Sequence, residues 1–113
     1  MEFDKDLQSI QEVRNLVEKA KAAQAVFASF SQKQVDQVVQ AVAEAAEKEA
    51  VRLAKLAAEE TGFGVWQDKV LKNLLGSRGI YTYIRDMKTV GVIREDEENK
   101  VWEIAVPMGV VAA

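Results

Sequence analysis

Glu59-Glu60-Thr61-Gly62-Phe63-Gly64 places two adjacent carboxylates before two glycines, and no other stretch of the chain offers chemistry so openly. Carboxylates beside a flexible turn suit a cation, and glycine amides suit a phosphate. Neither spacing is complete: a phosphate loop also needs its lysine, and a calcium loop needs its periodic oxygen ligands. The stretch reads instead as a helix C-terminus closed by a left-handed glycine cap. Gly76-Ser77-Arg78-Gly79 has the look of a nucleotide loop, but it continues a helical pattern where such a loop follows a strand, so a helix bend is expected. Arg94-Glu95-Asp96-Glu97-Glu98-Asn99-Lys100 is an acidic run that a solvated hairpin tip explains more simply than a docking patch. Trp66 and Trp102 are expected to fill a core or an interface, and Tyr81 and Tyr83 fall on different faces of a helix.

The 113 residues contain no cysteine and no histidine. That excludes a thiolate nucleophile, a disulfide, a thiolate or imidazole metal site, and an imidazole base. Carboxylates, lysines and tyrosines remain, but each would need a pocket to position it. No residue is therefore assigned a catalytic, cofactor-binding or metal-ligating role, and independent catalysis is not expected. The net charge of -3 is spread over interspersed residues of both signs, with no basic stripe for nucleic acid. No stretch reaches the roughly 20 apolar residues of a membrane span. The opening MEFDKDLQ carries both charges and no apolar segment, which argues against a secretory signal and for a cytoplasmic home.

The elements that position these residues can be read from periodicity. Ser9-Ile10-Gln11-Glu12 fits a capping box, and Ile10, Val13, Leu16, Val17, Ala20, Ala23, Val26, Phe27 and Phe30 then carry a helical face. Ser31-Gln32-Lys33-Gln34 offers a second box, with Phe30 and Val35 as its hydrophobic staple. From there Val35, Val38, Val39, Val42, Ala45, Ala46, Leu53, Leu56 and Ala57 extend an apolar face to Gly62. Unbroken, that helix of about 30 residues would run about 45 Å at its rise per residue. A third helix covers Val65, Val70, Leu71, Leu74 and Leu75, weakens at Gly76 and Gly79, and continues through Ile80, Tyr81, Tyr83 and Ile84.

The texture changes at Thr89. Thr89-Val90-Gly91-Val92-Ile93-Arg94 and Val101-Trp102-Glu103-Ile104-Ala105-Val106 flank the polar run as a hairpin, whose two faces both read as fairly apolar. Trp102 on such a hairpin points to a subunit contact. After Pro107, Gly109-Val110-Val111-Ala112-Ala113 starts a strand with no polar alternate, as strands buried on both faces do. That strand has no visible sheet to join, so a larger α/β domain is expected to begin where these residues stop.

Several blocks follow one another in unbroken order: Ala28-Ser29-Phe30-Ser31-Gln32-Lys33-Gln34-Val35-Asp36; Leu53-Ala54-Lys55-Leu56-Ala57-Ala58-Glu59-Glu60-Thr61-Gly62-Phe63-Gly64; Asp68-Lys69-Val70-Leu71-Lys72-Asn73; Lys88-Thr89-Val90-Gly91-Val92-Ile93; and Val106-Pro107-Met108-Gly109-Val110-Val111-Ala112-Ala113. Together they resemble the N-terminal segment of the CoA-acylating aldehyde dehydrogenases, including the aldehyde dehydrogenase half of bifunctional aldehyde-alcohol dehydrogenases. The resemblance implies an α/β aldehyde dehydrogenase fold, of which these residues supply a mostly α part: three helices, a β-hairpin and the start of a buried strand. Residues 1–88 would pack on a Rossmann-like cofactor domain, 89–106 would be a hairpin used in homo-oligomer assembly, and 107–113 would be the first strand entering the cofactor domain.

The whole enzyme would convert a small aldehyde to its acyl-CoA with NAD and CoA, through a thioester on an enzyme cysteine. None of that machinery falls within these residues, whose expected partner is the remainder of the enzyme chain, with no nucleic acid and no membrane. A bacterial microcompartment is the alternative location, and residues 1–8 are too short to add an encapsulation helix ahead of the one starting near Ser9. The rival reading is a stand-alone helical interaction module from a truncated gene.

Overall fold

A computed structural model describes residues 3–113, and helices dominate it. The described residues form five α-helices, α1 Lys5–Phe27, α2 Gln32–Lys48, α3 Ala50–Thr61, α4 Trp66–Leu74 and α5 Ile80–Ile84, with a π-helical turn at Leu75–Gly79 between the last two. Strands β1 Gly91–Asp96 and β2 Val101–Ala105 form an antiparallel pair. The chain divides into two compact units, Gln32–Lys88 and the residues that flank it on both sides.

Among the flanking residues, α1 begins one turn earlier than its expected start. Ser9 does not cap it: its Oγ donates to the Lys5 carbonyl at 2.9 Å, as a serine inside a helix does. Asp4 occupies the N-cap position, and Asp6 adds negative charge to the first turn, where the helix dipole favours it. Two acceptable starts competed, and the upstream one adds a turn of ladder hydrogen bonds once the nucleus exists. At its other end α1 stops at Phe27, and the Phe30 N–H donates to the Phe27 carbonyl at 3.0 Å. The rings of Phe27 and Phe30 meet edge to face with centroids 5.4 Å apart. The chain turns there as expected, and α2 starts immediately after Ser31.

Within Gln32–Lys88 the expected long helix is broken into two, 17 and 12 residues long. Glu49 sits at the break with φ -93° and ψ 0°, in the bridge region between helix and strand. The ladder continues through it, since the Glu49 N–H donates to Ala45 at 3.3 Å and the Leu53 N–H to Glu49 at 2.9 Å. This is a kink. A side chain is bonded to the helical ladder beside it, as often accompanies a kink: Asn73 Nδ2 on α4 donates to the Ala50 carbonyl at 3.0 Å.

α3 packs most extensively on α4, while α2 meets the π-helical turn. The contact is built from small side chains. Among the described residues, Ala43, Ala50, Ala54 and Ser77 are the buried ones, and Ala50 and Ala54 are 1% and 0% exposed. Alanine lets two helix backbones approach closely but removes little apolar area from water. Around this seam, Arg78 Nη1 contacts Glu47 Oε1 at 2.9 Å, and Lys55 Nζ lies 4.6 Å from the centre of the Trp66 ring. The ion pair is exposed, so it contributes about 1 kcal/mol at most.

The third expected helix is likewise subdivided at its glycines. The Ile80 N–H donates to the Leu75 carbonyl five residues back, which defines the π turn. Ser77 Oγ satisfies itself on the Asn73 carbonyl at 2.7 Å.

Strand pairing matches Gly91 with Ala105, Val92 with Ile104, Arg94 with Glu103, Glu95 with Trp102 and Asp96 with Val101. The register slips between Val92 and Arg94, leaving Ile93 as a bulge. The tip comprises Glu97–Lys100, with Lys100 in the left-handed region at φ 56°. Residues 106–113 form no regular element; the strand expected from Gly109 has no ladder partner among the described residues.

Gly62 closes α3 at φ 67°, and its N–H donates to the Ala58 carbonyl at 2.9 Å. A Cβ there would touch nothing within 4 Å, so the cost of Gly62→Ala is conformational alone, about 1 kcal/mol. Gly76 is helical, and its Cβ would also meet open space, so Gly76→Ala is expected to gain up to about 1 kcal/mol from helix propensity. Urea titrations followed by circular dichroism should move in opposite directions for the two variants. A gain from Gly62→Ala would refute the cap.

Candidate functional site

The structure separates the residues that first suggested chemistry. Glu59 and Glu60 lie exposed in the last turn of α3, and the residues after them form its cap. Thr61 Oγ1 donates to the Ala57 carbonyl at 2.7 Å and accepts from the Phe63 N–H at 3.2 Å, which fixes the exit of the chain. Among the described residues, no group of three or more acidic side chains is gathered as metal ligands.

Gly76, Ser77, Arg78 and Gly79 belong to the π turn, so this stretch is wound into a helix rather than opened as a cradle for phosphate. This stretch therefore offers no phosphate cradle. Tyr81 is half-buried while Tyr83 is exposed, on different sides as the spacing requires. A shallow recess of about 530 Å³ runs along Phe3, Leu7, Ile10 and Arg14, but its walls come from α1 and the residues just before it. A reactive site needs groups converging from several elements.

What the structure does present is uncovered apolar surface. On the hairpin, cross-strand pairing puts Val92 beside Ile104 on the face that also carries Trp102, and Trp102 is 61% exposed. The opposite face is mixed: Val101 and Ala105 share it with Arg94, whose Nη1 donates to Glu103 Oε1 at 3.0 Å and whose Nη2 lies 3.6 Å from Asp96 Oδ2. The expectation of two fairly apolar faces is qualified: the second carries three charged side chains beside Val101 and Ala105. The bulge at Ile93 shifts the register of β1, so a period-two count along the strand misplaces Arg94 relative to β2. No helix among the described residues is long and apolar enough to cross a membrane.

In Gln32–Lys88 the apolar stripe of α2 and α3 is two ridges wide. Val35, Val39, Ala43, Ala50 and Ala54 are half-buried or buried. The neighbouring ridge, Val38, Val42, Leu53 and Leu56, is exposed.

No family model matches the chain. Individual proteins do. The chain is 46% identical over 101 residues to the succinate-semialdehyde dehydrogenase (acetylating) of Clostridium kluyveri, covering 89% of this chain and 22% of that protein. It is 46% identical over 63 residues to the aldehyde-alcohol dehydrogenase of Clostridium acetobutylicum, covering 56% of this chain and 7% of that one. Among solved structures, an acetylating aldehyde dehydrogenase from Geobacillus thermoglucosidasius superimposes with TM-score 0.80 at 57% identity, over 89% of this chain and 22% of its own. A probable aldehyde dehydrogenase from Listeria monocytogenes gives 0.81 at 57% identity, over 93% and 23%.

The chain's homologues are acylating aldehyde dehydrogenases. It spans between about a fifteenth and a quarter of their length. The acylating aldehyde dehydrogenase resemblance drawn from the ordered sequence blocks is thus supported by both sequence and fold, and the helical part with its hairpin is the aldehyde dehydrogenase architecture over these residues.

Sequence reasoning missed the Asn73 contact. Its signal was present: Asn73 stands three residues after Val70 and four before Ser77, a polar amide in line with the buried stripe. A half-buried polar group there needs a partner, and the Ala50 carbonyl is that partner.

At the hairpin tip, Asp96 accepts from the Asn99 amide at 2.9 Å and from the Asn99 backbone N–H at 3.0 Å. Asn99, chiefly through its side chain, holds the Asp96 carboxyl below the usual aspartate range. Because the folded-state value is lowered, the turn's stabilisation is present above the ordinary aspartate pKa and fades as pH falls through the lowered one. Carboxyl NMR titration should show Asp96 titrating at lower pH than an unbonded aspartate, and Asn99→Ala should return it toward the ordinary value. An unmoved Asp96 in that variant would remove Asn99 as the cause.

Proposed function

We propose that these residues act as the helical and hairpin part of an NAD- and CoA-dependent acylating aldehyde dehydrogenase, which oxidises a small aldehyde to its acyl-CoA. The observation that carries this reading is the 57% identity at TM-score 0.80 over 89% of the chain to an acetylating aldehyde dehydrogenase. In the reading, residues 1–88 pack on the cofactor domain, 89–106 serve homo-oligomer assembly, and 107–113 enter the cofactor domain as its first strand. The exposed Trp102 face suits an assembly role, since aromatics are enriched where subunits meet.

The chemistry lies with other residues. A thioester needs a thiolate, and the chain has no cysteine. No catalytic step is assigned to this chain.

The surface supports a part rather than a whole. The chain exposes 9714 Å². Two separate compact proteins, each of half its mass, would together expose about 7,400 Å². The difference is surface that a finished globule would have covered.

Two measurements test the reading. The purified chain, given acetaldehyde, CoA and NAD, is expected to form no NADH. Exchanged for the matching residues of the Geobacillus thermoglucosidasius enzyme, the same residues are expected to give an active enzyme that forms NADH only with CoA present. Turnover by the chain alone, or a folded but inactive exchange enzyme, would overturn it.

A further inference from the structure

We infer that the π turn at Leu75–Gly79 is a slip joint: contacts from α2 and α3 hold it in its five-residue winding, and their loss lets it rewind as α-helix and turn α5 about its axis. Two anchors reach it from the neighbouring helices. Asn73 Nδ2 donates to the Ala50 carbonyl at 3.0 Å, and Arg78 Nη1 donates to Glu47 Oε1 at 2.9 Å. Glu47 and Ala50 are three residues apart on a ladder that continues through the kink, so they stand on one side of it.

Asn73 and Arg78 are five residues apart. In an α-helix five residues make about 1.4 turns, which would aim the two side chains about 140° away from each other. A bond from residue i+5 closes one turn on five residues instead, and the bond from the Ile80 N–H to the Leu75 carbonyl is of that kind. The π winding therefore matches the two anchors.

The local sequence does not ask for it. Along α4, the turn and α5, Val70, Leu74, Ser77, Tyr81 and Ile84 are buried or half-buried, and they follow one another at four, three, four and three. That is the seam spacing of an uninterrupted α-helix, whereas a π turn written into the local pattern would break the series by one residue. Ser77 does not select the winding either, because its Oγ bond to the Asn73 carbonyl four residues back is one that serine makes inside ordinary helices. Gly79 permits it: a Cβ there would meet Leu75 Cδ1 at 3.2 Å. With a helical pattern in the sequence and a π turn in the fold, the deciding contacts are those made with α2 and α3.

Rewinding as α-helix turns everything after the joint by roughly 100° and advances it by about 1.5 Å, one residue's worth of helix. α5 packs on α2, so the rotation gives it a different side to present and takes the half-buried Tyr81 and Ile84 out of their present orientation. A change at the contact of α3 with α4 is thereby passed on to α5.

Crystal structures of the exchange enzyme read the winding directly, from whether the Ile80 N–H meets the Leu75 or the Gly76 carbonyl. With both anchors in place the acceptor is expected to be Leu75. With Asn73→Ala and Arg78→Gln combined it is expected to be Gly76, and α5 to be rotated by roughly 100°. Should that enzyme fail to fold, Asn73→Asp replaces Asn73→Ala, since a carboxylate of the same size cannot donate to the Ala50 carbonyl. A Leu75 acceptor kept without the anchors, or a Gly76 acceptor with them, would end the assignment whether or not the enzyme turns over, so it stands or falls apart from the functional reading.

Discussion

The close approach of α3 and α4 depends on side chains no larger than a methyl group. Ala50 and Ala54 are buried at that contact, and only because the backbones come so near can the Asn73 amide reach the Ala50 carbonyl at 3.0 Å. That bond accompanies the kink at Glu49, and the kink is what turns one apolar stripe into two helices instead of one long rod. A leucine at either alanine would push α4 away and break the bond before any exposed residue felt the change. The same economy of size has a consequence for solubility: with the seam filled by alanine, the large aliphatic residues of α2 and α3 are left at the surface.

The hairpin obeys a different constraint. A two-stranded sheet has little stability of its own in water, and here the charged side chains of its mixed face and its tip supply local order. Arg94 bridges Asp96 and Glu103 across one face, while Asn99 ties the tip to Asp96. These contacts hold the strands in register without covering Val92, Trp102 and Ile104 on the other side. The bulge at Ile93 adds local twist to the ribbon, which sets the angle at which the apolar face is offered.

How much of this was legible in the residues follows from how local each cause is. The Gly62 cap, the start of α2 after Ser31, the polar tip and the difference between Tyr81 and Tyr83 are decided within a few residues of sequence, and all were readable. The start of α1 was equally local but ambiguous, because Asp4 and Asp6 compete with Ser9 as a helix beginning, and the longer helix wins. The kink and the Asn73 bond join residues 23 apart in sequence, beyond the reach of periodicity. The mixed hairpin face required the register, which a single bulged residue alters. The functional conclusion was legible from a different kind of signal: composition removed cysteine and histidine chemistry, and ordered blocks, rather than any one motif, carried the resemblance.

A self-sufficient interaction module would be expected to show a different pattern of residues. Such a module would carry polar side chains wherever its helices face water, because an exposed aliphatic ridge gains nothing in isolation and invites aggregation. Val38, Val42, Leu53 and Leu56 are aliphatic at all four positions of the open ridge, whereas Gln37, Gln40, Glu44 and Lys48 occupy other parts of the same helix. The division is clear along α2, although Val51 of α3 is 48% exposed away from the ridge. A face kept apolar beside a face kept polar is what a helix shows when it lies between two layers and touches solvent along one edge only. That geometry explains why a chain with so small a buried core nevertheless carries so many large apolar side chains.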